Sequence, residues 1–178
     1  MNTAKARPGL SFPGYTLIEI LVVLAIISIL GGLVMGGLVA ARRHNQIQRC
    51  QFLLKMLEAK ITEYETDFQD YPPSEVEDPI AGNECLLRAL TTKEKGGPYI
   101  SLKDTRTCDS NGNGLPEIAD EWGQPLGYLH HRNYRRENPN RRTYRLYSIG
   151  PDGVEDPYNP GSDDLTNWKK GAEAESEE

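Results

Sequence analysis

Leu17 to Ala41 forms a run of 25 residues whose one charge is Glu19, and beyond it the apolar positions thin to a regular stripe. As a helix the run is roughly 37 Å long, enough to cross a ~30 Å hydrocarbon core with some tilt. One membrane crossing is the expectation. Past Ala41, the residues Ile47, Cys50, Leu54, Leu57, Ile61, Tyr64 and Phe68 recur at spacings of three and four, which is one face of a helix. The same helix therefore continues out of the apolar run and, from Tyr15 to Phe68, measures roughly 80 Å. A stripe of about three heptads is short for a coiled-coil seam, so it is expected to pack on a sheet.

Tyr71-Pro72-Pro73 stops the helix, because proline removes a donor and restricts the residue before it. Residues 74–84 read as loop, Cys85 to Leu90 as a short helix, and Gly96-Gly97-Pro98-Tyr99-Ile100 as a turn. Residues 126–149 read as two strands joined at Glu137-Asn138-Pro139-Asn140. The predicted class is α+β, a long N-terminal helix packed on a small antiparallel sheet.

Across 178 residues the net charge is −6, and the mean hydropathy is negative, so apolar character is concentrated in the N-terminal run. An acidic chain is a poor general ligand for polyanions. Lys5 and Arg7 precede the run while Arg42, Arg43 and Arg49 follow it, so positive charge alone leaves the orientation open. Gly32 and Gly36 have the GxxxG spacing that lets helices approach closely. Lys169 to Glu178 is acidic, has no large apolar residue, and reads as a disordered tail.

A secretory signal is cut after its apolar region, but Gly14-Tyr15-Thr16-Leu17-Ile18-Glu19 puts the candidate cut before it. This motif resembles the processing site of type IV pilins and pseudopilins: a short basic leader, a glycine, an aromatic first mature residue, and glutamate as the fifth. The resemblance implies a prepilin peptidase that cleaves between Gly14 and Tyr15 on the cytoplasmic side and methylates the Tyr15 nitrogen. It also implies a periplasmic domain after Ala41. Glu19 fits independently, since a carboxylate inside a membrane run costs ~2.5 to 3.5 kcal/mol. The new α-amino group of Tyr15 on a neighbouring subunit would pair with it during assembly. The competing reading is a simple anchor whose Glu19 snorkels to the interface.

Further along, Tyr71-Pro72, the Leu-rich turn, Gly97-Pro98-Tyr99, Asp120-Glu121-Trp122-Gly123, Tyr147-Ser148-Ile149-Gly150 and Asp163-Asp164-Leu165-Thr166-Asn167-Trp168 follow one another in an order similar to the major pseudopilins of type II secretion. That is the general secretion pathway protein G family of the type IV pilin-like superfamily. The organisation it implies is a leader at 1–14, a transmembrane and filament-core helix at 15–41, a periplasmic pseudopilin domain at 42–168 and a tail at 169–178. It also implies a C-terminal calcium loop, with Asp152, Asp163 and Asp164 as side-chain ligands and the carbonyl of Ile149 as another. The carboxylates of that loop have no basic residue among them, and a hard cation with six to eight oxygen ligands would relieve their repulsion.

Three other groups of residues invite chemistry. Asp109, Asn111 and Asn113, with Gly114 next and Asp120 at the twelfth place, have EF-hand spacing. An Asx-stabilised turn without metal fits the same residues, and Pro116 opposes a following helix. The three cysteines favour one disulfide in an oxidising compartment, with Cys85 to Cys108 the preferred of three pairings and Cys50 on the apolar helix face. His130, His131 and the arginines from Arg132 to Arg145 form a basic stripe. Adjacent histidines on a strand point to opposite faces, which argues against a shared metal site there.

No nucleophile motif, phosphate-binding loop or zinc spacing is present in the sequence, so no enzyme is expected. The resemblance implies a structural subunit of an inner-membrane, single-pass, periplasm-facing filament that drives protein export. Its partners would be further copies of itself, minor pseudopilins, prepilin peptidase, an inner-membrane assembly platform and, before assembly, membrane lipid. Nucleic acid is not expected. The rival readings are an adhesive or DNA-uptake pilin, and a membrane-anchored enzyme or calcium-binding module.

Overall fold

The structure is a computed structural model; it describes residues 15–74, 77–134 and 143–168, leaving the side chains of 33–40 undescribed. The chain divides into two units, Met1–Arg42 and Arg43–Glu178. Helix α1, Leu17–Phe68, runs through 52 residues. It is followed by α2 (Pro79–Leu90), β1 (Thr107–Cys108), β2 (Glu117–Ile118), β3 (Gly127–Leu129), α3 (His131–Tyr134), β4 (Arg145–Ser148) and β5 (Leu165–Thr166).

In the first unit, Thr16 starts α1, its carbonyl and hydroxyl accepting the amide of Glu19 at 3.1 and 3.3 Å. Leu17, Ile18, Leu21, Leu24, Ile27 and Leu30 are all exposed. A helix apolar on every side requires lipid or protein around it. Among the described residues no helix is long and apolar enough to cross a membrane; residues 33–40, which complete the apolar run, lie outside the described side chains. The leader and the acidic tail also fall outside the described residues.

In the second unit the predicted stripe is the core. Leu54, Leu57, Ile61 and Tyr64 pack with Leu86, Leu87 and Leu90 of α2, and with Ile118, Leu126, Tyr128 and Leu146 of the strand region. The stripe ends where Gln69 takes a positive φ of 63°, after which the Pro72 carbonyl accepts the buried Tyr128 hydroxyl at 2.6 Å. The helix thus ends at the left-handed Gln69, three residues before the first proline, and the Pro72 carbonyl ties the segment after it to β3.

Helix α2 begins earlier than the sequence reading, which gave 74–84 to loop. Asp78 caps it by accepting the Ile80 amide, and Pro79 occupies the first turn. This is the cap-then-proline signature of a helix start. Gly82 lets α2 press onto β3, where a Cβ would lie 2.0 Å from the Tyr128 carbonyl. Beside it, fully buried Asn83 donates to the carbonyls of Ile118 and Leu126 and accepts the Ile118 amide.

Among the described residues two small antiparallel sheets result, β1-β2 and β3-β4-β5. The expected pair of strands within 126–149 is present as β3 and β4, with Tyr128 opposite Leu146. The joint expected at Glu137 to Asn140 lies outside the described residues. Along β4 the period of two sends Tyr144 and Leu146 to the core, while Tyr147 packs on Trp168 and Arg145 lies over the rings of Tyr158 and Trp168.

One expectation fails here. Strand β3 stops at Leu129, and His131 opens the turn of α3, so strand alternation does not govern the two histidines. Both are buried, and their rings lie 4.1 Å apart.

Candidate functional site: the carboxylate loop after strand β4

The register of β4 with β5 builds this site. Tyr147 pairs with Thr166 and Ser148 with Leu165, so in an antiparallel ladder the residues leaving β4 face those entering β5. Asn167 locks that register, exchanging bonds with Leu146 at 2.8 and 3.0 Å. The turn after β4 thus meets Asp163-Asp164. Gly150 takes φ 71°, and a Cβ there would lie 2.7 Å from the Asp163 carbonyl. Only glycine fits so close an approach in that conformation.

Carboxylate oxygens of Asp152, Asp163 and Asp164 lie within 4.8 Å of one another. Asp164 is 2% exposed, and its Oδ2 accepts the Asp156 amide at 3.0 Å. Asp163 holds the Arg43 guanidinium at 3.4 Å on Oδ2, whereas its Oδ1 is buried with no hydrogen-bond partner among the described residues. Asp152 Oδ1 accepts the Val154 amide across the loop. Three converging carboxylates, one with an unsatisfied buried oxygen, are a donor set for a hard divalent cation. Ile149, whose carbonyl was the fourth candidate, joins the end of β4 to Gly150.

Neighbouring acids are committed elsewhere. Glu155 accepts the Tyr147 hydroxyl, and burial together with that carboxylate pushes the phenol well above its ordinary range. Asp156 Oδ2 takes the Asn159 amide at 2.8 Å.

Sequence reasoning missed what supports the loop from behind. Fully buried Asp120 accepts the amides of Trp122 and Gln124 on Oδ1 and the Ser148 hydroxyl on Oδ2. The Ser148 oxygen in turn accepts the Gly150 amide at 3.2 Å. The Asp120-Glu121-Trp122-Gly123 motif is therefore a bracket for the carboxylate loop.

The residues with EF-hand spacing make their own set of bonds in the ion-free loop. Asp109 accepts the amides of Asn113 and Gly114, Asn111 also accepts from Asn113, and Asn113 Oδ1 takes the Leu115 amide. The oxygens of Asp109, Asn111 and Asn113 stabilise the turn between β1 and β2, while both oxygens of Asp120 serve its own turn and Ser148. The loop is an Asx-stabilised hairpin connection.

Cys85 and Cys108, the expected disulfide, are free thiols, as is Cys50. Cys85 receives the Arg88 guanidinium at 3.6 Å. Cys108 stands beside Glu117 on the paired strand, and burial with that carboxylate raises its thiol to about 11. Of the basic stripe, Arg145 is buried against Tyr158, and Arg132 pairs with Asp70; Arg135, Arg136, Arg141 and Arg142 lie outside the described residues.

A family profile described as "Prokaryotic N-terminal methylation motif" matches residues 13–35, the segment from Pro13 through the start of α1. Type II secretion system core protein G of Pectobacterium carotovorum is 30% identical over 171 residues, 94% of this chain and 91% of that protein. The Escherichia coli protein of the same name is 31% identical over 87% of this chain and 90% of its own length. A crystal structure of the major pseudopilin from the type 2 secretion system of enterohaemorrhagic Escherichia coli is 25% identical, covering 74% of this chain and 93% of that chain. Its TM-score of 0.40 is too low to bear on the fold. With identity sustained from the methylation motif to the C-terminal loop, the chain belongs to the type II secretion system core protein G family.

Proposed function

We propose that this chain is a structural, non-catalytic subunit of a type II secretion pseudopilus, cut after Gly14, methylated on Tyr15 and assembled through the apolar start of α1. The observation that carries this reading is the methylation motif over residues 13–35, laid on a helix whose apolar residues are exposed on all sides and whose one charge there is Glu19. Before assembly, lipid of the inner membrane surrounds the run from Leu17 to Ala41 as a single pass, with the second unit in the periplasm. In the filament, neighbouring copies replace the lipid. The α-amino group released at Tyr15 then pairs with Glu19 of an adjacent copy and removes the cost of a lone carboxylate in an apolar environment.

Prepilin peptidase, minor pseudopilins and an inner-membrane assembly platform are the partners of such a subunit. Growth of the filament would push exported proteins outward, with the energy supplied by a motor outside this chain. A DNA-uptake role finds no support in Arg132 and Arg145, which are engaged with Asp70 and with Tyr158.

The carboxylate loop holds calcium in this reading, through Asp152, Asp163, Asp164 and the carbonyl of Ile149. A bound calcium ion would neutralise the three carboxylates and fix the loop against β4. The support is the convergence of these carboxylates and the unsatisfied Asp163 Oδ1.

The experiment is in vivo assembly of Glu19→Ala. The variant should insert into the membrane at normal levels and fail to form filaments; wild-type assembly would remove the role assigned to Glu19.

A further inference from the structure

A second group of ligand-type side chains lies away from the carboxylate loop. Asp70, His130 and His131 each bring one ligand atom within 4.8 Å of the others. They come from two places in the chain: Asp70 from the exit of α1, and the histidines from the junction of β3 with α3. His130 Nε2 stands 3.2 Å from Asp70 Oδ1, and the His130 ring is nearly fully buried. We propose that Asp70, His130 and His131 form a binding site for a divalent transition-metal ion of the zinc class, which fastens the end of α1 to the β3–α3 junction.

Two imidazoles and a carboxylate suit zinc and its borderline neighbours, whereas calcium takes oxygen donors. Tetrahedral zinc with ligands at ~2.1 Å sets them about 3.4 Å apart. The Asp70–His130 edge already has nearly that length.

Two groups hold the trio in its ion-free arrangement. The Arg132 guanidinium sits 2.5 Å from Asp70 Oδ2, and its backbone amide donates to His130 Nδ1 at 3.2 Å. That second bond leaves the His130 proton on Nε2, facing Asp70. The ion takes the place of this proton, and the ring carries its hydrogen on Nδ1 instead, so the Arg132 amide must turn away. The Arg132 side chain is two-thirds exposed and has room to swing off Asp70. Metal binding therefore carries a local rearrangement of the first turn of α3, while the contacts of Ser74 with the His130 amide and Asn133 remain to hold the junction.

The chain has three histidines, and the third, His44, is exposed on α1 and serves as a control. The test titrates the full-length, detergent-solubilised, metal-stripped protein with Co2+, read by visible absorption, and then displaces it with Zn2+. The expected result is one Co2+ per chain with a nitrogen-ligated spectrum, stoichiometric displacement by Zn2+, and normal binding in His44→Ala. Affinity in His131→Gln should fall by more than the roughly tenfold that even outer-shell changes cost. Absence of saturable binding in the unmodified protein overturns the proposal without recourse to any variant, and so does undiminished affinity in His131→Gln.

Discussion

Asp120 Oδ2 receives the hydroxyl of Ser148 at 2.6 Å, both residues being fully buried, and through that oxygen the Gly150 amide is held at the mouth of the carboxylate loop. Asp120→Ala would strand the Ser148 hydroxyl and the Trp122 and Gln124 amides in the interior. The expected cost is roughly 2–4 kcal/mol, from lost bonds to a charged acceptor and desolvated donors left behind. Urea unfolding followed by circular dichroism checks it; a value within about 0.5 kcal/mol of wild type would mean the bracket is not needed.

Removing calcium should lower the melting temperature. An ion bound only by the folded state, at a free concentration 100 times its Kd, stabilises it by about 2.7 kcal/mol. Scanning calorimetry with and without chelator should show this difference in the wild type and lose it in Asp163→Ala, whose buried Oδ1 has no hydrogen-bond partner among the described residues. Glu155→Gln should keep it, because that carboxylate is committed to Tyr147. Equal melting with and without chelator in the wild type would count against a calcium loop.

The helix stripe makes a contrasting pair. Leu57 is fully buried, whereas Phe52, five residues earlier on the same helix, is 73% exposed. Leu57→Ala should cost roughly 2–5 kcal/mol through lost transfer energy and a cavity, and Phe52→Ala should stay within about 0.5 kcal/mol. Comparable losses at both positions would show that the second face of α1 is covered as well.

The legibility of these features followed from how local their signals are. Leu54, Leu57 and Ile61 could be read because a helix repeats its buried face over many turns, and Tyr71-Pro72-Pro73 because proline acts on its own neighbours. The start of α2 is also written in the sequence, as Asp78-Pro79, but it stands in a polar stretch with no apolar period to mark a helix. Strands β1, β2 and β5 have two residues each, too few for any periodicity to show. Asp163 and Asp164 were identifiable by resemblance, yet their meeting with Asp152 depends on the register of Ser148 with Leu165. His130 and His131 lie just past the end of β3 at Leu129, which no local signal marks, and a shift of one residue changes which side chains share a face.

The cysteines give a chemical check on the free-thiol state. Burial raises Cys50, and burial with Glu117 raises Cys108, each to about 11. At pH 8 only about one in a thousand of such thiols is ionised, and the thiolate is the reactive form. Alkylation of the native protein should therefore be slow at both. Unfolding without reductant should expose three alkylatable thiols by mass; a single adduct would instead establish a disulfide.

The most direct measurement is the intact mass of the protein extracted from the membrane of its own host. The account predicts loss of Met1 to Gly14 and gain of one methyl group on the new N-terminal Tyr15. A chain that keeps its first fourteen residues, with Gly14 still joined to Tyr15, would contradict its assignment as a processed pseudopilus subunit.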